Sequence, residues 1–127
     1  MADMSTPLRR VRHLGAAHDG TSHFRRQRLT AAANVPLVIA FIILVVTLVG
    51  RSRGEVVAIL GSPFVALFLI LMIVSISIHM RIGMQVIIED YVHGEALKVT
   101  ALATNTFLAI AIAAVSVFAI LKLAFGG

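Results

Sequence analysis

The sequence predicts an all-α membrane protein built on three transmembrane helices. Of its 127 residues, 59% are hydrophobic and only 13% charged. The apolar residues fall into three blocks, at residues 31–50, 63–91 and 100–125, and each reaches the ~20 residues that a helix needs to cross the hydrocarbon. Too little polar sequence is left for a soluble domain. Three helices make a thin bundle, so most of their faces must meet lipid or another protein, and a partner chain is expected. The chain has no cysteine, which excludes disulfides, thiolate metal sites and iron–sulfur ligation within it.

Residues 1–30 read as a basic cytoplasmic segment with six arginines (Arg9, Arg10, Arg12, Arg25, Arg26, Arg28) and three histidines (His13, His18, His23). Arginine clustered before a first span holds that end of a membrane protein in the cytoplasm, so the charge implies orientation and not a nucleic-acid partner. The first apolar block is too long for an ordinary signal peptide and is read as a retained span, with Pro36 near enough to its start to be tolerated or to bend it. Arg51, Ser52, Arg53, Gly54 and Glu55 form a link. After a short apolar stretch, Gly61-Ser62-Pro63 marks a break, with Ser62 placed to cap a helix that starts on Pro63. Span two runs from Pro63 to Tyr91. Residues 92–99 form a short second link, so spans two and three are antiparallel neighbours. Span three carries Lys122 near its end, within reach of headgroups. Three crossings with the N-terminus inside put the C-terminus on the outer, periplasmic side.

His79 is the one histidine inside a span. A polar ring in hydrocarbon is costly unless it meets a partner, lines an ion path or ligates a metal. On a helix Ser75 and Gly83 lie one turn to either side, and Asp90 returns to nearly the same face about 16 Å further along. A glycine one turn from an imidazole removes the side chain that would push a flat macrocycle away, which makes haem a sensible occupant. The plainer reading is that His79 hydrogen-bonds a neighbouring helix and the small residues allow close packing. If the ring does bind haem iron between two histidines, the second histidine must come from another chain, because this one offers no other inside a span. Arg81 points roughly 200° away, toward headgroups or a haem propionate.

Asp90 and Tyr91 close span two, with Glu89 beside them. Tyrosine there can be an aromatic-belt residue, and the aspartate can simply face water. Carboxylates at a helix C-terminus oppose its dipole, however, and so call for a cationic partner or a function. A tyrosine oriented by an aspartate can donate a hydrogen bond to a quinone carbonyl at an apolar site near the membrane surface.

Two segments resemble the small, D-type membrane-anchor subunit of succinate dehydrogenase (respiratory complex II), in its alphaproteobacterial form. One is Gly20-Thr21-Ser22-His23-Phe24-Arg25-Arg26-Gln27-Arg28-Leu29-Thr30-Ala31; the other is His79-x-x-x-Gly83 followed by Asp90-Tyr91. The resemblance implies that His79 is one axial ligand of a haem b shared with the larger anchor subunit. It implies that Tyr91, next to Asp90, hydrogen-bonds ubiquinone on the cytoplasmic side. Arg28 matches the arginine of the family's Arg-x-Thr pattern, near the quinone pocket and haem propionates. His23 falls where family members differ, and His13, His18 and His93 read as surface residues. The flavin and iron–sulfur clusters would sit on two soluble subunits, a flavoprotein and an iron–sulfur protein. This chain would anchor them in a bacterial inner membrane, or alternatively the mitochondrial one, without oxidising succinate itself.

Three other readings stay open at this stage. One is the anchor of a quinol:fumarate reductase. Another is a small proton-conducting or transporter subunit that uses His79 and Asp90 as relays, although ionisable groups inside the membrane are confined to one span. The third is a structural anchor with no cofactor.

Overall fold

The computed structural model describes residues 18–126. Four helices follow in order: α1 (His18–Leu48), α2 (Arg53–Leu60), α3 (Pro63–Tyr91) and α4 (Glu95–Ala124). Three of them, α1, α3 and α4, are long and apolar enough to cross a membrane. Arg9, Arg10, Arg12 and His13 lie outside the described residues.

The basic segment and the first span are not separate elements. Helix α1 is continuous for 31 residues. Nothing between Thr21 and Ala33 breaks a helix, and the Thr30 hydroxyl donates to the carbonyl of Arg26, 2.8 Å away and one turn back. At ~1.5 Å per residue α1 spans roughly 46 Å, well beyond a hydrocarbon core of about 30 Å. The change in composition at residue 31 therefore marks where hydrocarbon begins rather than where the helix does. Pro36 lies in the helix interior, not in its first turn, a position that membrane helices tolerate.

Ser52 and Glu55, expected in a link, instead start α2 with a reciprocal capping box. The Ser52 backbone N–H donates to the Glu55 carboxylate at 2.9 Å. That bond, the Ser52 hydroxyl and nearby Arg51 hold the Glu55 carboxyl below its ordinary pKa. Gly61 ends α2. A Cβ there would lie 2.7 Å from the Leu123 carbonyl oxygen, so only glycine lets this corner meet the end of α4. Pro63 opens α3 as expected, but the Ser62 hydroxyl does not cap it and donates back to the Ile59 carbonyl at 2.8 Å. Helix α4 starts at Glu95, five residues before the third apolar block, because its first turn is polar helix lying outside that block.

Helix α3 is central, with α4 packed along one side and α1 along the other. The core of Ala66, Leu69, Met72 and Ile120, flanked by Leu37, Leu44 and Phe68, lies at the N-terminal half of α3. In the C-terminal half of α3 only Ile82 is buried. Large apolar side chains such as Ile39, Ile42, Ile43 and Val46 on α1 are exposed, as required of surfaces that face lipid or another subunit.

Candidate functional site

The N-terminal half of α1 runs antiparallel to the C-terminal half of α3, and the two meet in a ladder of polar contacts. Ser75 Oγ donates to Asn34 Oδ1 at 2.6 Å. One turn further, Thr30 Oγ1 lies 3.1 Å from Nδ1 of His79. One turn beyond that, the Gln27 amide nitrogen sits 3.3 Å from where a Cβ on Gly83 would stand. The predicted face of Ser75, His79 and Gly83 therefore exists, and it is turned toward α1. Gln27 and Thr30 stood in the segment that carries the resemblance, Thr30 as the threonine of the Arg-x-Thr pattern, but no role was read for them, and Asn34 was not singled out. Their signal was available: three polar residues at helical spacing on α1, at the edge of an apolar block.

His79 is partly buried. Thr30 is its hydrogen-bond partner among the described residues, and Nε2 has none. Beside it lie two clefts between α1 and α3. One, of about 430 Å³, is lined by His23, Arg26, Thr30 and Arg81 among others, with no carboxylate in its wall. The other, of about 490 Å³, is lined by Gln27, Gln85 and Glu89 together with His23 and apolar groups. Gln27 Oε1 is buried there without a hydrogen-bond partner. The two helices thus touch along the face of Ser75, His79 and Gly83 and leave open space beside it, and neither His79 nor Gly83 lines the two clefts.

Asp90 and Tyr91 lie at the end of α3. Tyr91 is 78% exposed, and Asp90 is exposed with no hydrogen bond or ion pair to the described residues. Among the described residues no cation pairs with either carboxylate: Lys98 Nζ donates to the Glu89 backbone carbonyl at 3.0 Å, and the Gln85 amide donates to the Glu89 carboxylate at 2.8 Å. Arg28 is on α1 with its guanidinium 5.2 Å from the centre of the Phe24 ring. It does not share a cleft with His79, Asp90 or Tyr91 within this chain. Arg26 and Arg81 are the arginines that the fold brings together. The backbone carbonyl of Arg81 also accepts a bond of 2.9 Å from Asn105 on α4.

The profile of the family described as succinate dehydrogenase/fumarate reductase transmembrane subunit matches residues 2–120. The chain belongs to that family. It is 31% identical over 121 residues to the succinate dehydrogenase hydrophobic membrane anchor subunit of Paracoccus denitrificans, covering 95% of this chain and 93% of the relative. It is also 31% identical over 103 residues to the succinate dehydrogenase membrane anchor subunit of Reclinomonas americana, covering 79% of this chain and 86% of that relative. The family match spans His79, Gly83, Asp90 and Tyr91.

Whether this family member's residues suit a haem is a question of donors and space. Among the described residues no three histidine, cysteine or carboxylate side chains come together as a metal site. The His79 imidazole, whose Nε2 has no partner among the described residues, could supply one ligand to a metal and no more. Gly83 leaves the neighbouring helix surface free of a side chain, and the nearest group there is the movable end of Gln27. The orphaned Gln27 oxygen and the basic cleft complete a surface with polar capacity that this chain does not use up. One imidazole near a pair of arginines could serve one side of a haem, which would need its second ligand from elsewhere.

Proposed function

We propose that this chain is the small membrane-anchor subunit of a succinate:quinone oxidoreductase, attaching a flavoprotein and an iron–sulfur subunit to a bacterial inner membrane beside a larger anchor subunit. The observation that carries the reading is the His79 ring, tied to Thr30 through Nδ1 and with no partner at Nε2 among the described residues, in a chain of this family. His79 would hold a haem b together with a histidine of the larger anchor, and the group would supply one-electron transfer there. This chain's own residues do the rest. Thr30 holds the ring, Gly83 lets the movable Gln27 side chain come close to α3, and Arg26 and Arg81 offer positive charge to acidic groups.

Tyr91, with Asp90 beside it, hydrogen-bonds a ubiquinone carbonyl. Its exposed hydroxyl at the end of an apolar helix is available both to a ring in the membrane and to protons from water. Arg28 belongs to this pocket only if a partner subunit closes the gap between α1 and the end of α3. The arginines at the start of α1 put that end in the cytoplasm. The end of α3 that carries Tyr91 then also faces the cytoplasm, and α4 ends on the periplasmic side. The direction is succinate oxidation rather than fumarate reduction, in keeping with the names of both relatives.

Purification through a tag on this chain tests the proposal. Co-purification of a flavoprotein, an iron–sulfur protein and a second membrane subunit, with succinate:ubiquinone reductase activity and a b-type absorbance band, supports it. Isolation without these partners and without haem would return the chain to the transporter or cofactor-free reading.

A further inference from the structure

We infer that Thr30 is the hydrogen-bond acceptor for Nδ1–H of the His79 ring and so sets the ring's electron donation, through which α1 tunes the haem iron. This inference rests on the haem-ligand reading of His79.

The Thr30 hydroxyl has one proton and lies in reach of three acceptors. Its oxygen is 2.8 Å from the Arg26 carbonyl, 3.1 Å from the Gln27 carbonyl and 3.1 Å from His79 Nδ1. A neutral imidazole carries one N–H, and two arrangements are open to the pair. In the first, the hydroxyl donates to the ring and the imidazole proton sits on Nε2, where the described residues offer it no acceptor. That leaves an N–H unpaired in an apolar region. In the second, the hydroxyl donates to its own backbone one turn back and accepts from Nδ1–H. Every proton is then used, and the lone pair left over is on Nε2, the atom free to bind a metal. Ligation through Nε2 leaves only the second arrangement, because the ring's one proton must then sit on Nδ1, with the Thr30 oxygen in reach.

A hydrogen bond from Nδ1–H to an oxygen makes the other nitrogen a better electron donor, as carboxylates and carbonyls do behind other metal-bound histidines. Better donation favours ferric over ferrous iron. The oxygen here is a hydroxyl anchored to the α1 backbone, so the ring's orientation and basicity follow the position of α1 against α3. The Ser75–Asn34 bond one turn away fixes that position.

The test compares Thr30→Val, which keeps the shape and removes the hydroxyl, with Thr30→Ser, which keeps the hydroxyl and removes the methyl. The readouts are the haem midpoint potential and the low-temperature EPR of the ferric complex. Thr30→Val should raise the potential; a tenfold loss of ferric preference corresponds to about 59 mV for a one-electron couple. Thr30→Ser should stay near wild type. An unchanged potential in Thr30→Val, or an equal shift in Thr30→Ser, overturns the inference. If Thr30→Val fails to assemble, nitrogen NMR of histidine-labelled, dithionite-reduced wild-type complex answers the question without a variant. A hydrogen-bonded Nδ1–H on His79 supports the inference, and a free one overturns it. His79→Ala serves as the reference. If it leaves the haem spectrum intact, the haem-ligand reading itself has failed; if it removes the haem while Thr30→Val keeps the wild-type potential, only the role of Thr30 has failed.

Discussion

Two glycines in this chain resist a side chain for different reasons, and substituting each separates packing from cofactor binding. A Cβ at Gly61 would stand 2.7 Å from the Leu123 carbonyl oxygen and 3.2 Å from its carbon. Both are backbone atoms that no rotamer change can move. Overpacking of that kind costs about 1–3 kcal/mol. At Gly83 the nearest atom is the Gln27 amide nitrogen at 3.3 Å, the end of a flexible side chain beside a cleft of about 490 Å³. Alanine in mid-helix is favoured over glycine by roughly 0.8–1 kcal/mol, and rotating the amide away costs about the same. Gly83→Ala is therefore near neutral for the protein alone, and even Gly83→Leu has a cleft into which Gln27 can retreat. A haem held by His79, by contrast, would have to pass over this face, and a leucine one turn away would obstruct it. In the purified complex, Gly61→Ala should lower thermal stability and leave the haem spectrum unchanged. Gly83→Leu should reach the membrane at wild-type levels and lose or strongly alter haem absorbance. A wild-type haem spectrum and potential in Gly83→Leu would refute the placement of a macrocycle against this face.

Other outcomes follow from single contacts. Tyr91→Phe removes an exposed hydroxyl and should slow ubiquinone reduction at least tenfold, about 1.4 kcal/mol of transition-state stabilisation, while succinate oxidation with a soluble dye stays normal. Equal quinone kinetics would return Tyr91 to the aromatic belt. Ser75→Ala breaks the 2.6 Å bond to Asn34 and should cost about 0.6 kcal/mol, the average for hydrogen bonds between membrane helices, visible as a small fall in the unfolding midpoint in detergent. Glu55 has its pKa lowered by the Ser52 capping bonds. Its contribution to α2 is therefore present above the unfolded pKa and lost as pH falls through the lower folded value. Amide exchange in residues 53–56 should speed up in that acid window, and Ser52→Ala, which removes the hydroxyl but keeps the backbone N–H bond, should weaken the pH dependence without abolishing it.

The three spans were legible because hydrocarbon imposes length and composition on any helix that crosses it. The break at Gly61-Ser62-Pro63 was legible from proline at a first helical position. Helix ends were less so. Residues 18–30 and 95–99 are helical but polar, and apolar patterning reports where the membrane is, not where the helix stops. The Ser52-x-x-Glu55 signature was present in the sequence and marked the start of α2, yet the short apolar stretch after it gave no period with which to recognise a helix. At the site, His79, Gly83, Asp90 and Tyr91 stood out as polar or small residues in an apolar run. Their partners did not. Pairing Thr30 with His79, or Arg26 with Arg81, depends on the register between α1 and α3, and side-chain contacts made across two helices leave no mark on the spacing within either.

The most direct test of the central claim is the dithionite-reduced minus oxidised spectrum of the complex purified through this chain, wild type against His79→Ala. The account predicts a b-type band in the wild type that is lost or clearly shifted in the variant, with dye-linked succinate oxidation by the soluble subunits retained. An identical band in both would contradict it and remove His79 as a ligand.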